Sequence, residues 1–371
     1  MTPRLIVLAA LLGAGLPACG RRTPTNTVAP TTAVSATARQ RFDAGVGKLD
    51  AGANEYDDAI AQFKAAIALE PKLWEAWLDI GVIELRRARL GEAAKALEAS
   101  LAIYASPEAL DALGEVYLRQ NKAKQALALY ERALREHPDD LRVRNALAVT
   151  LRRVGRLDEA EAECRAILGE HAFDPAAYAT LGAIKIDRGQ LDLAQLLLDK
   201  GLARHPEHPL LLTNLGLVAL KRGDDQTAFA LFERASAADP RYVVGRLNKA
   251  ALFLGAGDAK RAKTELDAVL QIEPGNTDAL LGVGTCARLS GDLPGARTAW
   301  ERVLAIDAAH AGAIFNLAVL EMDFAERPQI ARKHLERYLQ VTGGDGPQAA
   351  DVKERLALLE GISKTKGGAK G

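Results

Sequence analysis

The chain has 371 residues, with 48 Lys and Arg balanced by 48 Asp and Glu, so its formal net charge is zero. That balance leaves no long-range field to gather nucleic acid or an acidic membrane surface, and it excludes a protein that finds either by charge alone. With 49% hydrophobic but only 5% aromatic residues, the composition suits helices.

The chain opens on Arg4 and an apolar run from Leu5 to Leu16. This run is too short for a bilayer core of ~30 Å, which needs about 20 residues. A basic start, a short apolar core and small residues before a break predict a secretory signal peptide over residues 1–18. From Arg21 to Ala38 the sequence is Thr, Pro, Ala and Val with hardly any period. Such a stretch buries too little apolar surface to order itself, and residues 19–38 are expected to form a flexible tether.

Between these two segments, Leu16-Pro17-Ala18-Cys19 resembles a bacterial lipobox, although Pro17 departs from its commonest form. The resemblance implies cleavage before Cys19 and lipidation of its thiol with palmitate-type chains. Two or three acyl chains anchor stably where one binds only marginally. Gly20 stands where some inner-membrane lipoproteins carry Asp, so the expected location is the cell envelope, at the outer membrane facing the periplasm.

Beyond the tether a period dominates. Ala59, Ala93, Ala126, Ala160, Ala194, Ala228, Ala262, Ala296 and Ala331 recur at 34-residue intervals, with one interval of 33 and one of 35. Four positions after each stands a larger or apolar side chain: Phe63, Leu97, Tyr130, Cys164, Leu198, Phe232, Leu266, Trp300 and Leu335. Twelve before stands a small one, as in Gly47, Gly81, Gly114, Ala148 and Gly182, and twelve after comes Pro71, Pro138, Pro206, Pro240 or Pro274, where a helix must stop.

This pattern resembles the tetratricopeptide repeat family over residues 39–345. The resemblance implies an all-α, right-handed superhelical solenoid of about nine helix-turn-helix repeats. In each repeat the small residues let helix A approach helix B, the large ones fill the space between neighbours, and Gly155, Gly189, Gly223, Gly257 and Gly291 make the turn. An amphipathic segment at 346–362 is expected to cap the last repeat, and 363–371 to be a disordered tail.

The repeat accounts for most residues that suggest chemistry. Gly45-Val46-Gly47-Lys48-Leu49 lacks the first glycine and the Ser/Thr of a phosphate loop and falls inside an A helix. His137, His171 and His205 share one repeat position at the end of a B helix, where a cation complements the carbonyl end, and they stand too far apart to share a metal. Cys164 and Cys286 sit several helix pairs apart, beyond the ~7 Å that a disulfide allows between α-carbons. No nucleophile elbow, HExxH helix or Cys-His pair appears. The expectation is a non-enzyme with no catalytic residue, no metal and no cofactor, and no small-molecule substrate.

In this family ligands usually lie on the concave face of the A helices. Carried over to this chain, the partner-binding groove comprises Arg119, Arg142, Asn145, Arg152 and Arg153, then Leu210, Thr213, Asn214, Leu217, Leu220, Val244, Leu247, Asn248, Leu254 and Asn316. The groove is expected to pass from charged to apolar along its length. Asn214, Asn248 and Asn316 occupy the position from which relatives often hold an extended peptide backbone. The layout resembles tetratricopeptide lipoproteins of gliding-motility or type IV pilus machinery. It implies a membrane-anchored scaffold that binds protein or peptide segments of an envelope complex. The alternative is a regulatory or substrate-presenting subunit of a peptidoglycan or polysaccharide synthesis or export complex.

Overall fold

A computed structural model describes residues 34–367, with side-chain surroundings given through residue 360. The signal peptide, Cys19, most of the tether and residues 368–371 lie outside the described residues. Helix-turn-helix pairs follow one another along the chain: α1 (Ala36–Ala51) and α2 (Tyr56–Leu69), α3 (Trp74–Arg86) and α4 (Leu90–Ile103), α5 (Pro107–Arg119) and α6 (Ala123–Glu136). Next come α7 (Leu141–Arg153) and α8 (Leu157–Glu170), α9 (Pro175–Asp187) and α10 (Leu191–Leu202), α11 (Pro209–Lys221) and α12 (Asp225–Ala238), then α13 (Val243–Gly255) and α14 (Ala259–Ile272). Finally α15 (Thr277–Leu289) pairs with α16 (Leu293–Ile306) and α17 (Ala311–Val319) with α18 (Pro328–Thr342), before α19 (Ala349–Gly367).

The described residues divide into two compact bodies. The first holds everything up to residue 252 together with 268–276, and the second holds 253–267 and 277–367. The sequence reading placed the end of the tether at Ala38, but Ser35 already caps α1, its side chain accepting from the Ala38 amide at 3.2 Å. At the other end α19 runs to Gly367, past the expected limit at residue 362.

Local chemistry explains where the helices start. Pro107 and Pro175 open α5 and α9 at a position that needs no N–H. Ser106 accepts from the Ala109 amide at 3.1 Å and Asp174 from the Ala177 amide at 2.7 Å, filling two of the donors that each helix start leaves over.

The repeat registers hold in packing except at the small position of repeat one, where Gly47 is exposed and Gly45 instead lies against Phe63, a Cβ there falling 2.7 Å from the ring Cδ1. All nine alanines of the period, from Ala59 to Ala331, are fully buried, and so are their large neighbours from Phe63 to Leu335. A Cβ built at Gly114 would fall 2.8 Å from Cε2 of Tyr130, so a methyl group there would displace the ring. Repeat four solves the same problem by exchanging volumes: Ala148 stands in place of glycine, and Cys164 stands in place of the large side chain, in one core cluster. Cys164 is therefore a small apolar filler, and burial pushes its thiol up to about 12. The Cys286 thiol, buried in the second body, is raised to about 11 by the same cause.

The five turn glycines from Gly155 to Gly291 all have φ between 71° and 81°. Ala88, Asn121 and Glu326 occupy the equivalent turns of repeats two, three and nine with φ of 57°, 58° and 51°. The left-handed conformation is set by the helix-to-helix turn, whichever residue occupies it. A left-handed L-residue costs ~1–2 kcal/mol and a glycine's extra chain entropy ~0.5–1 kcal/mol. Glu326 is exposed, so Glu326→Gly is expected to stabilise the protein by ~0.5–1 kcal/mol in urea denaturation.

Candidate functional site

The inner positions of the A helices can now be followed from repeat to repeat. On repeats three and four the predicted arginines are present, each tied to a carboxylate. Arg142 Nη1 lies 2.6 Å from Glu108 Oε1, joining equivalent positions of α5 and α7. Glu115 accepts from Arg119 Nε at 2.7 Å and is also paired with Arg153. Arg152 Nε lies 2.8 Å from Asp187 Oδ2 of α9. The expected charged stretch is thus a ladder of ion pairs with alternating signs. Its two accessible rungs are Arg142 and Arg119, whose side chains are 41% and 32% exposed, whereas Arg152 and Arg153 are at 9% and 12%. Asn145 donates to its own helix at Leu141 O, 3.1 Å, and to the cap residue Asp174 at 3.2 Å.

Beside this ladder Asp111 is held under pressure. Its Oδ1 is enclosed without a hydrogen-bond partner. Burial raises its carboxyl to about 7, against the pull of Arg142 and with help from Glu108 and Asp140. The unfolded chain ionises this group near the ordinary carboxylate value, so the folded state loses stability as pH rises from about 4 towards 7. Asp111→Asn removes the charge that must be buried. It is expected to raise stability at pH 8 by ~1–2 kcal/mol, with the gain vanishing near pH 4, in denaturation series at the two pH values.

The apolar half of the groove is corrected by the structure. Thr213, Asn214, Leu217, Val244, Leu247 and Asn248 are all buried, and Leu210, Leu220 and Leu254 are half-buried. Leu217 belongs to a core cluster against which Leu210 and Leu220 pack. Ala179 of α9 shares that cluster with Leu217. Asn214 spends its amide on the Ala179 carbonyl at 2.9 Å, tying the two A helices together. Asn248 donates to Val244 O of its own helix at 3.0 Å, leaving Oδ1 without a partner. These residues hold neighbouring repeats together and offer no open strip to a ligand. Asn316 of α17 is half-buried in the second body.

Sequence reasoning missed one buried charge network. Glu161 accepts from Lys185 Nζ at 2.8 Å and also pairs with Arg188 and Arg165. The Lys185 hydrogen bond is the main cause that holds the Glu161 carboxyl below its ordinary value. Glu161 directly follows the periodic Ala160, and nothing in its type or spacing separates it from the solvated glutamates of other B helices.

His137 and His171 form the C-caps of α6 and α8. His205 Nε2 lies 3.0 Å from Phe173 O, and burial lowers the basicity of its neighbour His208. Among the described residues no group of three or more His, Cys, Asp or Glu could hold a metal ion, and no helix is long and apolar enough to cross a membrane.

Comparison with known proteins agrees with this architecture. One tetratricopeptide repeat profile matches residues 47–108, 112–175 and 180–243, and a second matches 219–283. A chain of the APC/C hetero-tetramer Cut9–Hcn1 superposes with a TM-score of 0.55 at 14% identity, over 85% of this chain and 62% of that one. This protein therefore spans less than two thirds of that relative's length. A tetratricopeptide repeat protein from Parabacteroides merdae gives 0.45 at 18% identity, over 68% of this chain and 98% of its own. Yeast Tom70 gives 0.49 at 12% identity, over 89% of each chain. At these identities the likeness is one of fold. No curated protein matches the sequence significantly.

Proposed function

Because this chain belongs to the tetratricopeptide repeat family, we propose that it works by binding other proteins, as a lipid-anchored scaffold of the cell envelope. The lipobox-like Leu16-Pro17-Ala18-Cys19 supports the anchor, and the threonine-rich segment after it supplies the tether that sets the array's reach from the membrane. The observation that carries the binding role is the ion-pair ladder of repeats three and four, where Arg119 and Arg142 keep guanidinium surface in solvent beside the enclosed Asp111. A partner segment bearing carboxylates exchanges Glu108 and Glu115 for its own charges at these two arginines. Planar guanidinium groups suit such bidentate exchange. The machine served is of the gliding-motility or type IV pilus kind.

The test is recovery of partners from chemically crosslinked envelopes, with the double variant Arg119→Glu, Arg142→Glu beside the wild type. Recovery is expected to fall at least ten-fold with helical content unchanged. Equal recovery would remove the ladder as the docking surface. Recovery of synthases or hydrolases in place of motor or pilus components would move the scaffold to a peptidoglycan or polysaccharide complex.

A further inference from the structure

Within the first body, contacts join residues about 190 to 220 positions apart, and all of them link loops or helix ends. The linker and helix start of repeat one, Asp50 to Tyr56, and the turn of repeat two, Arg86 to Ala88, belong to the edge where A passes into B. Arg241 and the stretch from Ile272 to Gly275 belong to the opposite edge, where B passes into the next A. Arg241 Nη2 lies 2.8 Å from Asp50 Oδ1. The Tyr56 hydroxyl donates to Ile272 O at 2.6 Å and accepts from Arg86 Nη1 at 3.3 Å. The Gly275 amide donates to Arg86 O at 2.9 Å, a main-chain hydrogen bond across 189 residues.

Two features mark this seam as built. Gly275 has no positive φ, so its backbone conformation does not demand glycine. The demand is space, because a Cβ there would fall 2.6 Å from Arg87 O and 2.7 Å from Ala88 N. Tyr56 is 1% exposed, and its one polar atom is directed at the far edge, while the Arg87 guanidinium covers its ring at 5.6 Å. The contacts gather repeat one and the turn of repeat two against the ends of repeats six and seven. A solenoid that returns to its own edge after six repeats has its side closed there.

We propose that this seam is a latch, a closure between successive turns that opens on its own without unfolding the helix pairs and, when shut, leaves the inner wall open only end-on. The proposal rests on the inner wall being the docking surface only for its use; the latch itself stands on the geometry above. It is held by two hydrogen bonds of main-chain acceptors and a half-exposed ion pair, against the continuous apolar cores that join neighbouring repeats. Opening therefore belongs to the low end of the stability range within one fold.

Amide hydrogen exchange of the full chain, resolved at residues 272–276 and at α9, tests it without any partner. The Gly275 amide is expected to be protected yet to exchange at least a hundred-fold faster than the α9 amides. Tyr56→Phe removes only the hydroxyl and is expected to speed exchange at Gly275 at least five-fold with α9 unchanged. Gly275→Val is expected to abolish protection at 272–276 and to raise the radius of gyration in X-ray scattering at constant helical content. Exchange of Gly275 at the α9 rate would make the seam part of the global fold and overturn the latch. Absence of protection in the wild type, or an unchanged profile in both variants, would overturn the seam itself. Loss of partner recovery in the arginine variants bears on the docking surface and leaves these readings untouched.

Discussion

Trp300→Ala is expected to cost ~3–5 kcal/mol of unfolding free energy, the largest single loss among the periodic core positions. Trp300 is fully buried in the second body, and its indole Nε1 donates to Leu281 O at 3.1 Å. The face of α15 opposite it is bare: a Cβ on Gly284 would fall 2.6 Å from the indole Cδ1. Alanine would leave a cavity that Gly284 has no side chain to fill, and the indole hydrogen bond to Leu281 O would be lost. Each repeat stabilises its neighbours through shared interfaces, so the loss is expected to appear first as a separate early transition of the second body. Urea denaturation followed by circular dichroism measures it, with Trp300→Phe as the conservative control losing less than half as much. A change below ~1 kcal/mol would show that the site collapses around the missing ring, contrary to the close fit described here.

Cys19→Ser is expected to move the protein almost wholly from the membrane pellet to the soluble fraction. One acyl chain binds a bilayer with a constant of only ~10⁴ M⁻¹, whereas two or three chains hold it stably at ~0.8 kcal/mol per buried methylene. The change is therefore all or none. The 48 basic and 48 acidic residues of the chain cancel, and no described helix is long and apolar enough to span a membrane. Fractionation of cells carrying each form, with mass spectrometry of the amino-terminal peptide, checks it. An unmodified thiol at Cys19 in the wild type would remove the anchor from the proposed function and leave an untethered scaffold.

The repeat was legible because its information is local. A small residue, an alanine and a large residue at set offsets define how one A helix meets its own B helix, and those offsets predicted the burial of the nine periodic alanines and of the large residues four positions after them. The same pattern identified Cys164 and Cys286 as packing residues, as their burial bears out. The turns were legible at Gly155 to Gly291 but not at Ala88, Asn121 and Glu326, where a residue other than glycine takes the same conformation.

The groove was read less well, for a reason that is also physical. The family position of Leu217, Leu247 or Asn248 says which way a side chain points from its helix; it does not say how close the next A helix comes. That distance depends on the neighbours' volumes, and where α11 meets α9 the Asn214 amide reaches the Ala179 carbonyl and Leu217 packs in one cluster with Ala179. Charge pairing is likewise a matter of reach between repeats. Glu108 and Arg142 stand 34 residues apart in sequence and 2.6 Å apart in space, which makes the expected charged stretch a ladder of ion pairs.

By itself the sequence determined the helix pairs, their number, the glycine-marked turns and the alanine-lined contacts between A and B, because each depends on residues within one repeat length. Tertiary structure alone decided which inner-wall groups are exposed, which carboxylates neutralise which arginines, and that Gly275 meets Arg86. Small rotations between neighbouring repeats accumulate over six of them, and no single period carries their sum.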